Sequence, residues 1–324
     1  MRAFLTGATG FVGGHLVDQL LAGGHEVTAL VGTPAKAAGL AERGVRLVQG
    51  DLRDLRALRE GAAEADVLYH VAALTGAVNE EEFLTANREG TANALNAAIA
   101  APKRPRLVYV SSMAAGGPSR RGVPKRDPSD DHPVTMYGRS KLAGERMLRA
   151  STHPWVILRP PTVYGPRDRD NLLTVFKAAR TGFAPVFGNG SMELSAIYVS
   201  DLASACIAAA TASGVTGGTF YVNHPEVVTS GELVRRIGRT MGREVRLIGI
   251  PELVARGILS FTGWAAERLQ RKTILRADKA NEFYQEAWTG DPAPFTALSG
   301  WSAATDLTRG LAETYASYRE AGWL

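Results

Sequence analysis

A tyrosine and a lysine stand one helical turn apart near the middle of the chain, in the segment Tyr137-Gly-Arg-Ser-Lys141. At this spacing both side chains leave the same face of a helix, so the phenol and the ammonium lie side by side. A neighbouring cation stabilises a phenolate, and so lowers the pKa of the phenol from its ordinary value of ~10. The pair could therefore act as an acid/base catalyst, with the hydroxyl of Ser112 orienting the reacting oxygen.

A glycine-rich loop near the start of the chain, Thr6-Gly-Ala-Thr-Gly-Phe-Val-Gly13, follows a short apolar run and precedes an amphipathic stretch. Gly7 permits a tight turn out of a strand, Gly10 lets the backbone approach a pyrophosphate at the helix N-terminus, and Gly13 allows close helix packing. A strand, this loop and a helix in that order predict a dinucleotide-binding unit.

The elements that would position these residues alternate between strands and helices. Strands are predicted at residues 2–5, 26–31, 46–49, 67–71, 107–111 and 155–159, with helical periodicity between them. This alternation predicts an α/β fold with a doubly wound parallel sheet. After Pro160 the order loosens, and helices are predicted at residues 172–181, 200–211, 230–241 and 307–321. Residues 116–132 form a predicted long loop, of the kind that commonly covers active sites.

Composition excludes several classes of protein. Lys and Arg exceed Asp and Glu by 37 to 32, but the excess is spread along the chain and does not indicate nucleic-acid binding. The single cysteine, Cys206, excludes an internal disulfide and a multi-cysteine metal site; we expect it in the core and expect no metal. No apolar run approaches the ~20 residues of a membrane span, and no secretory signal precedes the first strand, so we expect a cytoplasmic protein.

Together these motifs resemble the extended branch of the short-chain dehydrogenase/reductase superfamily, which includes nucleotide-sugar epimerases and dehydratases, dihydroflavonol reductases and 3β-hydroxysteroid dehydrogenases. The resemblance runs nearly end to end, in motifs at residues 6–13, 50–52, 70–73, 87–91, 110–112, 137–141, 159–165 and 197–202. It implies a Rossmann fold with a smaller, interleaved substrate-binding lobe. Residues 1–165 would bind NAD(P), and residues 166–324 would mainly form the lobe, with some segments returning to the sheet.

The resemblance also assigns roles to residues. Ser112, Tyr137 and Lys141 would be catalytic, and Lys141 would also hydrogen-bond the nicotinamide ribose. Asp51 would contact the adenine, with helix capping as its alternative role, and Asn87 would shape the helix near the site or serve the fold. The residues expected to contact the cofactor are Gly7, Thr9, Gly10, Phe11, Val12, Asp51, Leu52, Ala72, Ala73, Ser111, Tyr137, Lys141, Pro160 and Val163.

The sequence leaves the choice between NAD and NADP open. An acid after the second strand would accept hydrogen bonds from the ribose 2′-hydroxyl, whereas a basic residue would pair with a 2′-phosphate. Gly32 stands where many relatives carry arginine, and no acid replaces it. Thr33 and Lys36 could serve a phosphate, although Lys36 could equally be a solvated charge.

Two departures separate the chain from its nucleotide-sugar relatives. Tyr198 stands where those enzymes often have histidine, and residues 192–197 lack the usual Arg-Asp-Phe type of segment that anchors a substrate diphosphate. Arg159, Arg167 and Arg169 are the substitute candidates, although Arg159 could serve the fold instead. Asp201 is predicted to cap the helix that follows it.

The late segment, residues 248–278, is apolar around Phe261 and Trp264 and carries charges at Arg256, Glu267, Arg268, Arg271 and Lys272. It is either a lid over a hydrophobic substrate or ordinary helix packing. We therefore predict an NAD(P)-dependent oxidoreductase that interconverts a carbonyl and an alcohol on a small hydrophobic molecule. A nucleotide-sugar epimerase or dehydratase with tightly bound NAD is the alternative. A cofactor-binding regulatory protein is disfavoured by the intact catalytic set, and a homodimer is a compatible assembly.

Overall fold

The computed structural model describes residues 1–269, 273 and 276–324. Arg271 and Lys272, two of the charges in the late apolar segment, lie outside the described residues. All six strands predicted before Pro160 are present, with bounds that differ from the predictions by at most one residue. They are β1 (Arg2–Thr6), β2 (Glu26–Val31), β3 (Arg46–Gln49), β4 (Val67–His70), β5 (Arg106–Val110) and β6 (Trp155–Arg159).

The remaining elements in this part of the chain are helices that follow the strands. The first, α1, covers Phe11–Ala22, and a 3₁₀ turn at Pro34–Ala37 leads into the short α2. A π-helical turn at Thr85–Glu89 joins α4 to α5. The other bounds are α2 (Ala38–Ala41), α3 (Leu55–Ala62), α4 (Glu80–Leu84), α5 (Gly90–Ala100), α6 (Met113–Gly116) and α7 (Met136–Arg149).

The second half of the chain adds shorter strands and further helices, and short 3₁₀ turns lie at Ser213–Val215 and Ala277–Lys279. Its strands are β7 (Thr162–Tyr164), β8 (Phe183–Phe187), β9 (Glu193–Tyr198), β10 (Thr219–Tyr221), β11 (Val227–Thr229), β12 (Arg246–Ile250) and β13 (Ala287–Trp288). Its helices are α8 (Leu173–Ala179), α9 (Val199–Thr211), α10 (Ser230–Thr240), α11 (Glu252–Arg268), α12 (Ala280–Phe283), α13 (Ala293–Ser299) and α14 (Leu307–Glu320).

Within the described residues, seven strands form one parallel sheet in the order β10–β6–β5–β4–β1–β2–β3. Side chains alternate across it: Leu5 packs toward α1 and α9, whereas Phe4 packs toward α3 and α5. The fold is therefore the predicted doubly wound parallel sheet. The strand order reverses between β1 and β4, and in such sheets ligands bind outside the carboxyl ends of the strands at that point.

A smaller set of strands lies beside the main sheet. In it, β9 pairs in parallel with β7 and β13 and antiparallel with β11, while β8 pairs in parallel with β12. A separate apolar cluster that includes Tyr164, Phe176, Leu311 and Tyr318 packs these strands against α8, α10 and α14. The strand β10 lies in the main sheet although it follows β9 in the chain, so the two parts interleave.

Two predictions about α9 have different outcomes. The prediction that Asp201 caps this helix is wrong, because the helix follows β9 directly, so the backbone of Tyr198 is at the N-cap. The carboxylate of Asp201 instead accepts the backbone N–H of Thr305 at 2.9 Å, which ties the C-terminal part of the chain to α9. Cys206 is buried in the core as predicted, and burial raises the pKa of its thiol to about 12.

None of the helices in the described ranges combines the length and the apolar character that crossing a bilayer requires.

Candidate active site

The glycine-rich loop lies at the carboxyl end of β1, and two of its glycines are required by packing. Gly7 has a φ of +82°, and a Cβ there would lie 2.7 Å from the backbone nitrogen of Ala72. A Cβ on Gly13 would lie 2.0 Å from the carbonyl oxygen of Gly7. The loop can therefore reach its tight turn only with glycine at these two positions.

Gly10 has a different environment from its two neighbours. It is the N-cap of α1, and its nearest obstacle to a Cβ is the Gly7 carbonyl oxygen at 3.3 Å. No side chain caps this helix and no acid lies in its first turn, so the N–H groups of Phe11, Val12 and Gly13 have no intrahelical acceptor. Together with the helix dipole, this arrangement fits a pyrophosphate, and the exposed Thr9 lies at its rim.

Asp51 follows β3 and is not a helix cap. The cap of α3 is Asp54, whose Oδ1 accepts the backbone N–H of Ala57 at 3.0 Å. Arg53 donates to Oδ2 of Asp51 at 2.6 Å, and this hydrogen bond holds the pKa of the Asp51 carboxyl below its usual range. The capping alternative is therefore wrong for this aspartate, which stays exposed at the edge where a nucleotide would lie.

The other residues expected to contact the cofactor lie at neighbouring strand ends. Leu52 packs under α5, where a Cβ on Gly90 would lie 2.7 Å from its Cδ1. Ala72 and the half-buried Ala73 follow β4, and the backbone N–H of Ala72 donates to Oγ1 of Thr6. The sheet therefore brings the ends of β1, β3 and β4 to one edge, as the order of its strands dictates.

Two more of the expected cofactor contacts follow β6. The carbonyl oxygen of Pro160 accepts the backbone N–H of Met113 at 2.9 Å, so it lies against the segment that carries Ser112. Val163 is half-buried in β7, and its carbonyl oxygen accepts the side-chain amide of Asn171 at 2.9 Å. Both residues therefore lie at the same edge of the sheet as the glycine-rich loop.

The helix that carries the tyrosine and lysine, α7, begins with Thr135 as its N-cap, whose Oγ1 accepts the N–H of Gly138 at 3.1 Å. Two glycines let this helix approach its neighbours closely. A Cβ on Gly138 would lie 2.3 Å from the carbonyl oxygen of Ala114, and one on Gly144 would lie 2.8 Å from that of Asn87. This close packing against α6 brings Tyr137 beside Ser112.

The Ser112 hydroxyl lies close enough to the Tyr137 phenol to influence its pKa. Burial raises the pKa of the Tyr137 phenol to about 12, and the neighbouring Ser112 hydroxyl acts in the opposite direction. The prediction of a lowered phenol pKa is therefore wrong for this state, because loss of solvation outweighs the favourable contacts of the phenolate. The phenol is protonated at neutral pH and can donate a proton to an oxygen atom beside it.

Lys141 lies one turn deeper on the same face of α7 and is only 1% exposed. Its Nζ donates to the carbonyl oxygen of Val110 at 2.9 Å and lies 4.2 Å from the centre of the Tyr109 ring. Burial lowers the pKa of the ammonium to about 7, while Glu145 acts in the opposite direction. The protonation of Lys141 therefore depends on Glu145, which lies one further turn along the helix.

Glu145 belongs to a buried ion network that the sequence reading missed. Arg159 donates to Glu145 at 2.6 Å and to Asp131 at 2.7 Å, and Arg149 contacts both carboxylates. The hydroxyl of Ser111 donates to Glu145 at 2.5 Å, and its backbone N–H donates to the carbonyl oxygen of Leu158 at 2.8 Å, so neither of these donors is left for a cofactor. The signal was present in the sequence, because Tyr137, Lys141 and Glu145 are spaced by four residues and share one helix face.

The three arginines considered as diphosphate anchors all have other partners. Arg159 is fully buried in the ion network, so it serves the fold. Arg167 pairs with Asp18 of α1 at 2.6 Å. The guanidinium of Arg169 lies 4.4 Å from the centre of the Trp323 ring. None of the three is available to bind a diphosphate in this arrangement.

Asn87 joins the loop after β4 to α7, the helix that carries Tyr137 and Lys141. Its side chain accepts the N–H of Leu74 at 2.8 Å and donates to the carbonyl oxygen of Leu74 at 3.0 Å and to Oγ of Ser140 at 2.9 Å. Because it holds both segments, Asn87 fixes the position of α7 relative to the end of β4.

The surroundings of Ser112 and Tyr137 away from the glycine-rich loop are mainly apolar. The ring of Phe83 lies 6.1 Å from that of Tyr137. Beyond Ser112 lies a cluster that we call the apolar wall, formed by Met113, Val134, Met192, Leu194, Tyr221 and Trp288. Met113, Tyr221 and Trp288 are buried in this cluster, and its half-buried members, Val134, Met192 and Leu194, are those that could face a substrate.

The late aromatic residues are not packed in the core. Phe261 is 66% exposed and Trp264 is 56% exposed, so ordinary core packing is wrong for both. Trp264 lines a cleft of about 240 Å³ that also includes Met136, the residue before Tyr137. In this cleft the carboxylate of Asp278 accepts the backbone N–H of Met136 at 2.8 Å.

The comparison with protein families gives one match over most of the chain. The model of the NAD dependent epimerase/dehydratase family matches residues 3–222, and the chain belongs to this family. The ceramide reductase of Caulobacter vibrioides is 34% identical over 326 residues, which cover 99% of this chain and 95% of that protein. A farnesyl-dihydroquinoline oxide ketoreductase of Stigmatella aurantiaca is 30% identical and covers 79% of this chain, with 78% of that protein matched.

Solved structures support the fold. The UDP-glucuronic acid 4-epimerase of Bacillus cereus, in complex with UDP-glucuronic acid and NAD, is similar with a TM-score of 0.78. The identity is 20%, and the match covers 99% of this chain and 100% of that one. With the family and the named reductases, these findings make the chain an NAD(P)-dependent enzyme of the extended short-chain dehydrogenase/reductase type, an oxidoreductase that interconverts a carbonyl and an alcohol.

Proposed function

We propose that this member of the NAD-dependent epimerase/dehydratase family reduces a ketone carried on a long apolar molecule, with NADH or NADPH as the reductant. One observation carries the proposal. Ser112 and Tyr137 are neighbours, the phenol is protonated, and the apolar wall begins at Met113, the residue after Ser112. This site presents a proton donor next to a hydrophobic surface, which suits a ketone with an apolar body.

The proposed chemistry assigns one task to each catalytic side chain. The bound dinucleotide supplies the hydride that reaches the carbonyl carbon. Ser112 holds the carbonyl oxygen by a hydrogen bond, and Tyr137 donates its phenolic proton to that oxygen as the alcohol forms. Lys141, held by the Val110 carbonyl oxygen, places its positive charge where it stabilises the resulting phenolate.

The cofactor would lie along the carboxyl ends of the strands. Gly10 and the open N-terminus of α1 would hold the pyrophosphate, and Asp51 and Leu52 would contact the adenine. In this proposal residues 1–165 mainly bind the dinucleotide, and residues 166–324 mainly shape the substrate side. We also predict no nucleic-acid partner, because the excess of basic residues is spread along the chain. The dependence on a reduced dinucleotide favours a location in the cytoplasm.

The relatives support the substrate class that the apolar wall suggests. The names of the two similar enzymes describe reductases of a ceramide and of a farnesyl-bearing ketone, both of which carry long hydrocarbon chains. In the present chain, Met192 and Leu194 occupy the segment in which nucleotide-sugar relatives usually carry a diphosphate anchor. A hydrocarbon chain would bury apolar surface against these residues, at about 25 cal/mol per Å² removed from water.

The alternative function is that of a nucleotide-sugar epimerase or dehydratase. The similarity of the fold to a solved epimerase is consistent with it. The two functions differ in their redox balance. A reductase consumes reduced cofactor in proportion to product, whereas an epimerase returns the hydride to its substrate.

The experiment therefore incubates the purified protein with NADH or NADPH and either 3-oxo fatty acyl ketones of increasing chain length or UDP-glucuronic acid. We expect net loss of nicotinamide absorbance with the ketones, and a kcat/KM that rises with chain length. Turnover of the nucleotide sugar without net loss of reduced cofactor, together with inert ketones, would replace the reductase by the epimerase.

A further inference from the structure

The helix α11 differs from an ordinary surface helix because most of its large apolar side chains face the solvent and not the core. Its buried residues are Ala255, Leu259 and Gly263, spaced by four along a narrow strip. These residues are small or medium in size. Apart from Leu259, the large apolar side chains of the helix lie on the opposite side, where a globular protein normally places charged residues.

The outward side of α11 forms a continuous apolar surface, which we call the outer face. At about 100° per residue, it spans an arc of about 160° around the helix. Leu253 is 84% exposed, and the other large apolar residues of the face are at least half exposed. The face consists of Leu253, Val254, Gly257, Ile258, Phe261, Trp264, Ala265, Arg268 and Leu269.

The charge on the outer face has one sign. Its single charged residue is Arg268, whose guanidinium lies 5.6 Å from the centre of the Trp264 ring. The acids of the helix, Glu252 and Glu267, fall outside this arc. Tryptophan and arginine both combine apolar surface with a polar tip, which suits the boundary between hydrocarbon and headgroups. An anionic headgroup would meet a cation here and no carboxylate.

The shape of the outer face does not suit a second protein molecule. A helix of 17 residues is about 25 Å long and about 10 Å wide, so its projected face is on the order of 250 Å². A stable interface between proteins buries about 800 Å² on each partner and needs complementary shapes. A lipid surface is deformable and can receive one convex helix without a matching groove.

The position of α11 connects this face with the reaction. Gly263 and Trp264 line the cleft that also contains Met136 at the start of α7, one residue before Tyr137. The segment after α11 is held by Arg276, whose guanidinium donates to the carbonyl oxygens of Ala77 and Val78 in the loop after β4. The outer face therefore borders a cleft that reaches the start of α7, one residue before Tyr137.

We infer that α11 docks the protein on an anionic phospholipid surface through its outer face, so that the cleft between α11 and Met136 of α7 lies next to the bilayer. The docking itself follows from the helix alone. Its use, the entry of an apolar ketone from the lipid, rests on the proposed function. Such a helix would lie in the headgroup region without crossing the membrane.

The test measures flotation of the cofactor-free protein with vesicles of phosphatidylcholine and phosphatidylglycerol, and with vesicles of phosphatidylcholine alone. The double variant Leu253→Ser with Phe261→Ser removes two apolar side chains from the outer face. Its control, Ile99→Ser with Leu298→Ser, removes two exposed apolar side chains from α5 and α13, which are 45% and 50% exposed. We expect the first variant to lose roughly tenfold or more in partitioning, and the control to bind as the wild type.

Charge and depth are tested separately. Arg268→Gln should weaken binding to the anionic vesicles roughly fivefold and leave the weak binding to phosphatidylcholine unchanged. Trp264 is the most exposed of the five tryptophans, so a blue shift of fluorescence on adding vesicles, absent in Trp264→Phe, would report its burial in lipid.

Three outcomes would overturn the inference: no binding to anionic vesicles, equal loss in the control variant, or a dimer in solution that Leu253→Ser with Phe261→Ser dissociates. Reduction of a short water-soluble ketone without vesicles separates this inference from the proposed function, because that activity needs no docking. If the protein binds vesicles but reduces no ketone, the proposed function fails and the docking stands. If it reduces the soluble ketone but does not bind vesicles, the docking is wrong and the proposed function stands.

Discussion

Two helices border the cleft near Tyr137, and they distribute polarity in opposite ways. The helix α7 buries Ser140, Lys141 and Glu145, whereas α11 exposes Leu253 and Phe261. In an ordinary domain each of these choices costs stability, because a buried charge loses its hydration and an exposed apolar side chain keeps its unfavourable contact with water.

The comparison shows that the two costs are handled differently. In α7 each of these two buried charges has a partner within the protein: Lys141 has a carbonyl oxygen, and Glu145 has two guanidinium groups and a hydroxyl. In α11 the described part of the chain supplies no cover for the outer face. The buried charges of α7 are therefore satisfied by partners within the protein, whereas the exposed apolar side chains of α11 indicate a binding surface for something outside it.

The largest effect should come from breaking the buried charge network. Glu145→Gln leaves the guanidinium of Arg159 buried with one carboxylate fewer, so we expect a loss of about 3–5 kcal/mol in the free energy of unfolding. The control is Glu252→Gln on α11, which breaks an exposed pair with Arg256 at the same four-residue spacing and should cost under ~1 kcal/mol. Denaturant unfolding measures both, and equal losses would contradict the contrast between the helices.

The second prediction concerns the chemistry that α7 supports. Tyr137→Phe removes the proton donor and keeps the ring, so turnover should fall by roughly 10²-fold or more, while folding and cofactor affinity are retained. Tyr198→Phe is the matched control, because it removes a phenol bonded to Glu313 elsewhere in the structure. Steady-state kinetics with both variants checks this, and near wild-type turnover in Tyr137→Phe would remove that residue from the mechanism.

The third prediction is a pH dependence. Burial lowers the pKa of Lys141 to about 7, so in the folded free enzyme the cation is the form present below that pH. If the cation stabilises the phenolate, kcat/KM for ketone reduction should be level below about pH 7 and fall by about tenfold per pH unit above it. A profile that stays level into the range of an exposed lysine would show that Lys141 keeps its proton.

The smallest predicted effect concerns cofactor preference. Gly32 follows β2, and no atom lies within 4 Å of a Cβ placed there, so an arginine fits without strain. Gly32→Arg should shift the ratio of kcat/KM values toward NADPH by about fivefold, or about 1 kcal/mol, by pairing with the 2′-phosphate. Gly257→Arg adds the same charge on α11, also in open space, and should leave the ratio unchanged.

Much of the site follows from local sequence. The glycine spacing of the loop, the alternation of strands and helices, and the four-residue spacing of Tyr137 and Lys141 each reflect interactions between neighbours in the chain. These local patterns were sufficient for the fold class and for the edge of the sheet where the candidate residues lie. They were also sufficient to place Cys206 in the core.

The errors arose where a residue's role depends on distant partners. The sequence suggested that Lys141 would lower the pKa of the Tyr137 phenol, but burial from several elements raises it. Asp201 was expected to cap a helix and instead binds Thr305, which is 104 residues away.

The sequence by itself determined the parallel sheet, the glycine-rich loop and the helix face shared by Tyr137 and Lys141, because periodicity and turn chemistry act over a few residues. Only the tertiary structure decided that Arg159 is enclosed by Glu145 and Asp131 and that the apolar side of α11 is exposed. Burial is a property of how separate segments meet, and an apolar residue looks the same in the sequence whether it faces the core or the solvent.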